Sequence, residues 1–345
     1  MKYDLLVFIG RFEPFHLGHQ EVVQRALSLS KRVLVLVGSS GQARSLRNPF
    51  TYKERASLIN HIYPDVITRP LHDHTYNDAA WIVEVQQRVK EVLLDGRGWQ
   101  PNGVKDYKIG LIGCNKDHTS YYLKMFPDWD SEAVQYVTPL NATAMRNQLY
   151  TDTLPDRWNA AAVMPVETYD FLAEFRHSAD YAKLRMAYDF IYDPETGYLK
   201  KYGKGPHITA DSIVQVGGKI LLIRRGKEYG HGLLAMPGGF VHVDKETFLD
   251  GALRELKEET RLKVPKPVLV GSIKGTFLAD AVHRSERGRI VSQVHHIVLA
   301  NDTSLPEVRG SDDADEAIWM DIADLRQAEF FEDHYFIIKK MLGIN

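Results

Sequence analysis

Short apolar runs alternate with helical periodicity through the first half of the chain. Tyr3 to Ile9 reads as a strand, about Gly18 to Ser30 as a helix, and Val33 to Val37 as the next strand. The rhythm continues with a helix over Tyr52–Ile62, a strand near Asp65–Arg69, an amphipathic helix near Asn77–Leu94 and a strand at Lys108–Ile112. This alternation predicts an α/β domain: a parallel sheet with helices on both faces, and ligands at the carboxyl ends of its strands.

The pattern changes in the second half. A helical stretch from Pro165 to about Tyr188 gives way to the turn residues Asp193-Pro194-Glu195-Thr196-Gly197 and then to Lys200 through Pro206. Beyond them, Ser212–Val216 and Lys219–Arg224 flank Gly217-Gly218, a hairpin signal, and Val291–Leu299 reads as a further strand. One strong helix, Lys245 to Glu259, interrupts this strand-rich half. The expected organisation is therefore a first domain over 1–185, a linker over 186–206 in which Lys200, Lys201 and Lys204 form a solvated basic connector, and a second domain over 207–345.

A chain of 345 residues supports two cores of about 150 residues each. Forty-three basic against 45 acidic residues leave a net charge of −2, so no global field favours nucleic acid or anionic lipid, and anion binding must be local. The single cysteine, Cys114, cannot form an intramolecular disulfide, which favours a reducing compartment, the cytoplasm. The longest apolar runs are strand-sized, far below the ~20 residues that span a bilayer. No small-residue cleavage site follows Leu5–Ile9, so no signal peptide is expected.

The first strand runs into Gly10-Arg11-Phe12-Glu13-Pro14-Phe15-His16-Leu17-Gly18-His19 at the start of a helix. Amide groups at a helix N-terminus attract phosphate oxygens, two imidazoles can donate to the same oxygens, and Gly18 permits close approach. Two histidines at a helix start could equally be capping or packing residues; the surrounding sequence decides. The segment resembles the signature of the HxGH nucleotidyltransferases, and the longer match at Gly10-Arg11-Phe12 and Pro14-Phe15-His16 resembles the archaeal-type nicotinamide mononucleotide (NMN) adenylyltransferases. Asn48-Pro49-Phe50-Thr51 with Glu54-Arg55 is similar to that family's mononucleotide segment, and Thr143-Ala144-Met145-Arg146 to its Ser/Thr-x-x-Arg motif.

The resemblance implies that His16, His19 and Arg146 are catalytic. It further implies that Gly10, Arg11, Phe12, Gly18, Arg47, Asn48, Trp81, Asn115 and Thr143 bind ATP and NMN, with Trp81 stacked on the nicotinamide ring. A cationic pyridinium over an indole face gains roughly 0.5–2 kcal/mol; the alternative for Trp81 is a core tryptophan, and for Arg11 and Arg47 exposed salt bridges. The family pattern is departed from at Glu13, where Gln is usual, and Asn115-Lys116-Asp117-His118 matches the adenine-side loop only loosely. No Lys-Met-Ser-Lys-Ser-like segment supports a class I aminoacyl-tRNA synthetase.

In the second half, Glu255, Glu258 and Glu259 fall at i, i+3 and i+4 of one helix. Like charges so placed repel, which suggests a cation between them, and oxygen ligands suit Mg²⁺ or Mn²⁺. Pro237-Gly238-Gly239-Phe240-Val241, Glu246 and Arg254 precede and join them, and the whole resembles the Nudix box of the Nudix hydrolases, a loop–helix–loop. The resemblance implies that Glu255, Glu258 and Glu259 hold metal and act in catalysis, that Gly238 and Gly239 line the substrate site, and that Glu246 and Arg254 support the box. Six residues rather than five separate Gly239 from Glu246, and Arg261 replaces the usual closing glycine.

Glu316 and Asp315 are candidate general bases. The loop His283–Arg289 is similar to one in ADP-ribose-handling Nudix proteins, which makes Arg287 and Arg289 candidate substrate contacts; a charged solvent-facing loop is the alternative. The order of the two halves resembles the bifunctional NMN adenylyltransferase/Nudix proteins of bacteria. That resemblance implies a Rossmann-like nucleotidyltransferase domain followed by a Nudix α/β/α sandwich with a mixed sheet. The implied activities are AMP transfer from ATP to NMN, giving NAD and pyrophosphate, and hydrolysis of ADP-ribose to AMP and ribose 5-phosphate, with Mg²⁺ or Mn²⁺ in both domains. The expected partners are ATP, NMN, NAD and ADP-ribose, without nucleic acid or membrane; oligomeric state stays open. Two alternatives stand beside this reading: another phosphorylated acceptor, such as pantetheine phosphate or FMN, and a second half that senses a ligand or cleaves a different nucleoside diphosphate derivative.

Overall fold

A computed structural model describes residues 1–94, 107–114, 125–134, 140–226, 229–300 and 305–344. The chain divides into two compact units, Met1–Leu184 and Arg185–Asn345. The first runs β1 (Leu5–Gly10), α1 (Leu17–Leu29), β2 (Val33–Val37), α2 (Tyr52–Ile62), β3 (Ile67–Pro70), α3 (Asp78–Leu94), β4 (Ile109–Cys114), β5 (Asp130–Val134), α4 (Ala142–Tyr150), α5 (Arg157–Ala160), α6 (Val166–Phe175) and the start of α7 (Ala179–Tyr192).

Its sheet has the order β3-β2-β1-β4-β5, and every pairing is parallel. The expected architecture holds, and the reason lies in the alternation along β1. Leu6 and Phe8 point into a core with Val22, Val23 and Ala26 of α1 and Ile59 of α2. Leu5 and Val7 point the other way, onto Val85, Val89 and Val92 of α3. Each fully buried Val or Leu contributes roughly 1.5–3 kcal/mol, so a central strand buried on both faces fixes which helix lies where. The chain order turns around at β1, since β2 leaves on one side and β4 on the other, and the carboxyl end of β1 is the crevice where such sheets bind ligands.

Where one helix was expected over Pro165–Tyr188, two form, because residues 176–178 close α6 with successive turn bonds before α7 begins. Residues 186–206, expected as linker, hold the second half of α7 and α8 (Tyr198–Tyr202).

The second unit continues with β6 (His207–Val216), β7 (Lys219–Arg225), β8 (Leu234–Ala235), β9 (Gly238–Phe240), α9 (Phe248–Thr260), α10 (Lys266–Gly271), β10 (Ile273–Ala279), β11 (Ile290–Leu299), β12 (Ala314–Asp321) and α11 (His334–Leu342). Its sheet, ordered β10-β11-β6-β7-β12 with β8 on β7 and β9 on β6, is mixed: β11 and β6 are parallel and the other pairs antiparallel. The Gly217-Gly218 hairpin forms as expected, with Val216 opposite Lys219 and Gly217 at φ 55°. Helix α9 begins at a reciprocal cap between Thr247 and Asp250 and buries Ala252 against Ala210 and Val241. No helix among the described residues is long and apolar enough to cross a membrane.

Candidate active sites

The turn after β1 brings the first set of residues together. Gly10 is required because a Cβ there would stand 2.9 Å from the Phe12 ring, and Phe12 itself is buried in a left-handed conformation at φ 56°. His16, 2% exposed, caps α1 in extended conformation. Its ring stacks on that of His19 at 3.7 Å between centroids, and its amide donates to His19 Nδ1 at 3.3 Å. A neutral ring whose Nδ1 accepts carries its proton on Nε2, which is then a donor for a phosphate oxygen. Phe12 and Phe15 pack edge-on and tilted against His19 and fix its plane. Gly18 is buried in the first turn of α1.

Three guanidinium groups gather at the same end of the sheet. Arg146, buried in the second turn of α4, donates to the Glu13 carbonyl at 2.7 Å and to the Thr143 hydroxyl at 3.1 Å. Arg11 donates to Asn48 Oδ1 at 3.1 Å. Burial, and then the charges of Arg47 and Arg146, push the Arg11 guanidinium down to about 10. Cations that depress one another in this way call for an anion among them. Arg11 and Arg47 are thus neighbours in one cationic group and not separate exposed salt bridges.

Trp81 stands in the first turn of α3, half-buried, with its ring 6.2 Å from Phe126, which stacks on Trp129 at 4.5 Å. It packs against the core without being fully buried. Just beyond it, Glu84 accepts from His72 and His74, each at 2.8 Å, which clasps the loop before α3 onto the helix. Asn115 and the loop after it lie outside the described residues.

In the second unit Arg254 organises the box. Its Nε donates to Glu246 at 2.7 Å, Nη1 to Glu255 at 2.8 Å and Glu258 at 2.9 Å, and Nη2 to the Phe240 carbonyl at 2.8 Å. Hydrogen bonds from Arg254, then from the His242 amide, hold the Glu246 carboxyl down at about 2. The metal-ligand candidates behave oppositely. Burial, then the charges of Glu258 and Asp312, raise Glu255. Glu259, 4% exposed and accepting the Gly238 amide at 2.9 Å, is pushed well above the carboxylate range by burial, with Glu255 and Asp211 adding to the rise.

Among the described residues no three His, Cys, Asp or Glu side chains already surround a common cation position. The donor set nevertheless fits a hard divalent ion. It consists of carboxylate oxygens, two of the three carboxyls are raised by burial and then by neighbouring carboxylates, and Arg254 pairs with Glu255 and Glu258. The two glycines matter here: a side chain on Gly239 would run into the Glu255 carboxylate, and one on Gly238 into Asp211. Arg261 resolves the departure at the end of the box, because it adopts the left-handed conformation itself, at φ 52°, and anchors its guanidinium on Ser311 at 2.7 Å.

Not all expected contacts gather at the box. Glu316 pairs with Arg224 at 3.3 Å and Asp315 with His231 at 3.3 Å; neither ion pair involves a box residue. The acidic residue whose charge does reach Glu255 is Asp312. Arg289 donates to the Asp280 carbonyl. Arg287 is mostly buried, paired with Glu332 at 3.3 Å and facing the rings of Phe331 and Tyr229; it is not part of a solvent-facing loop. Arg225, over the Phe331 ring at 4.0 Å, stands electrostatically between Arg287 and Glu259. Sequence reasoning missed Arg225 and Asp312, whose only signal was a charge at the end of a strand or in a loop.

Comparison with known proteins adds to this geometry. A cytidylyltransferase-like model matches residues 7–90 and a NUDIX domain model residues 205–341. The first half is similar to the nicotinamide/nicotinic acid mononucleotide adenylyltransferase of Acinetobacter baylyi, 33% identical over 192 residues, which are 54% of this chain and 94% of that protein. The second is similar to the ADP-ribose pyrophosphatase of Methanocaldococcus jannaschii, 38% identical over 143 residues, 41% of this chain and 77% of that protein. Crystal structures of a bifunctional NMN adenylyltransferase/ADP ribose pyrophosphatase from Francisella tularensis cover 99% of both chains. One superposes with a TM-score of 0.86 at 31% identity; another, complexed with AMP and a manganese ion, with 0.85 at 30%.

Proposed function

The chain belongs to the family of bifunctional NMN adenylyltransferase/ADP-ribose pyrophosphatases, and on that premise we propose that its first unit joins ATP and NMN into NAD while its second cleaves ADP-ribose. The observation that carries the first activity is the convergence of two stacked imidazoles and three guanidiniums at the carboxyl end of β1.

An oxygen of the NMN 5′-phosphate attacks the α-phosphorus of ATP, and the bond to pyrophosphate breaks. The nucleophile is already ionised, so positioning and charge neutralisation suffice. His16, His19 and Arg146, with Thr143, hold the ATP phosphates; Arg11, Arg47 and Asn48 hold the acceptor phosphate. Gly10, Phe12 and Gly18 shape the turn, Asn115 belongs to the adenine side, and Trp81 carries the pyridinium ring.

In the second unit Glu255, Glu258 and Glu259 hold the divalent ions, Arg254 and Glu246 orient them, and Gly238 and Gly239 let the pyrophosphate approach. Mg²⁺ or Mn²⁺ would supply Lewis acidity toward phosphate oxygens and make water more acidic in the second unit, and Mg²⁺ would neutralise ATP phosphate charge in the first. Glu316 is retained as candidate base beside Asp312, and Arg287 and Arg289 frame the distal part of the substrate. Domain limits at 1–185 and 207–345 and a cytoplasmic location accompany this reading.

A product screen tests both halves at once. Purified protein with Mg²⁺ is given NMN plus ATP and, separately, ADP-ribose, NADH and nucleoside diphosphate sugars. NAD and AMP plus ribose 5-phosphate are the expected products. No NAD from NMN, with a dinucleotide from pantetheine phosphate or FMN instead, rejects the acceptor; tight ADP-ribose binding without turnover makes the second unit a sensor.

A further inference from the structure

Arg55 lies in the first turn of α2 with 2% of its surface exposed, and its donors are directed almost entirely at backbone. Nε reaches the Thr51 carbonyl at 3.3 Å, Nη1 the carbonyls of Arg11 at 2.6 Å and Gly38 at 2.7 Å, and Nη2 that of Ser39 at 3.3 Å. It forms an ion pair with Glu13 at 3.1 Å, itself 1% exposed. The other Glu13 oxygen accepts the Phe50 amide at 3.1 Å, and the Glu13 carbonyl is the acceptor of Arg146.

Three chain segments therefore end on these two side chains, the turn after β1, the turn after β2 and the Asn48–Thr51 segment, and α4 joins them at the Glu13 carbonyl. Three of the four bear a proposed phosphate contact, namely Arg11 and His16, Asn48, and Arg146. Two of the tied residues, Ser39 and the Phe12 that follows Arg11, hold left-handed backbone at φ 50° and 56° without being glycine, and such a conformation persists only where its surroundings over-determine it.

We propose that Glu13 and Arg55 are positioning residues for adenylyl transfer, locking the phosphate-binding segments of the first unit into one frame. The inference rests on the proposed first activity. A buried ion pair is a poor way to gain stability alone, since apolar residues of like volume serve as well or better. What it supplies is direction: the planar fork gives four N–H groups to four carbonyls, with the Glu13 carboxylate in ion-pair reach of Nη1, in a fixed arrangement. A shift of the turn by a fraction of an ångström would carry Arg11 and His16 away from in-line geometry while every contacting side chain remained present.

The test uses the full-length chain. Wild type must first form NAD from NMN and ATP; if it does not, the functional reading fails and takes this proposal with it. Glu13→Leu keeps roughly the volume but removes the acceptor for Phe50 and the carboxylate beside Arg55, and Arg55→Lys keeps the charge but has three donors on a single point. With NAD formation by wild type in hand, Glu13→Leu is expected to lower kcat by about ten- to a hundred-fold with the NMN KM within about three-fold. Arg55→Lys should do at least as much damage, and cooling the assay should restore neither variant. ADP-ribose hydrolysis by the same preparations, and thermal melts, report folding independently. A Glu13→Leu enzyme within about two-fold of wild-type kcat overturns the proposal. So does activity lost only in proportion to the unfolded fraction, or failure of both variants to fold, because each makes the pair a matter of stability alone.

Discussion

The two units gather opposite charges. In the first, guanidiniums and imidazoles are fastened to backbone and to one another, and burial, then the charges of Arg47 and Arg146, depress Arg11. In the second, Glu246, Glu255 and Glu258 are fastened to Arg254, and burial, then neighbouring carboxylates, raise Glu255 and Glu259. On the proposed reading the contrast locates each specificity: the cationic site would recognise phosphate by its own donors, whereas the acidic site would recognise it through the ion it binds.

The sharpest way to break the comparison is a pair of reciprocal knockouts. His19→Ala removes a phosphate donor and should lower kcat for NAD formation by ~10²–10³-fold, while ADP-ribose turnover by the same preparation is unchanged. Glu258→Gln should do the converse, by at least ~100-fold. If either variant loses both activities in the product assay, the sites are not independent.

A smaller effect is expected from Arg254→Met, which leaves the glutamates without their tether. ADP-ribose hydrolysis should fall by about 10–100-fold and recover in part as Mn²⁺ is raised; a loss that no Mn²⁺ concentration moves would mean that Arg254 acts on substrate and not on the ligands. Next comes Trp81→Ala, which should raise the NMN KM by about 2–30-fold, the equivalent of 0.5–2 kcal/mol of cation–π attraction, with kcat little changed. An unchanged KM would make Trp81 a core residue only.

The smallest effect lies in acid. The Glu246 carboxyl sits at about 2 when folded against an ordinary 4.5, so its bridge to Arg254 stabilises fully above about pH 4.5 and is lost as pH falls toward 2. Melting temperatures of wild type and Glu246→Gln should therefore draw together as pH falls from 5 toward 2; a constant gap assigns the difference to packing.

How much of this was legible in the sequence follows from the range of the interactions. Strands β1 and β2 and helix α1 were readable because their apolar positions record burial on two faces. Strand β5, Asp130–Val134, was not, because its residues are mostly exposed and only the register against β4 makes it a strand. Strand β12 opens with Ala-Asp-Glu-Ala and is set by pairing with β7, some 90 residues earlier. The same holds in the sites. The histidines and glutamates stand in compact motifs, so their roles could be expected. Arg287 read equally well as a substrate contact or as a solvated charge, because its partner Glu332 lies 45 residues away in sequence. Glu54-Arg55 read as part of a motif, yet Glu54 turned to its own helix cap and to Arg44 while Arg55 turned inward.

Arg254 has one more consequence. Zinc-finger-like modules cannot fold until their ion arrives, since nothing else neutralises the ligands. Here the chain carries a counter-ion for Glu255 and Glu258 within the helix, so on the proposed reading folding would not wait for the ion, and divalent uptake would be a local exchange of contacts around one arginine.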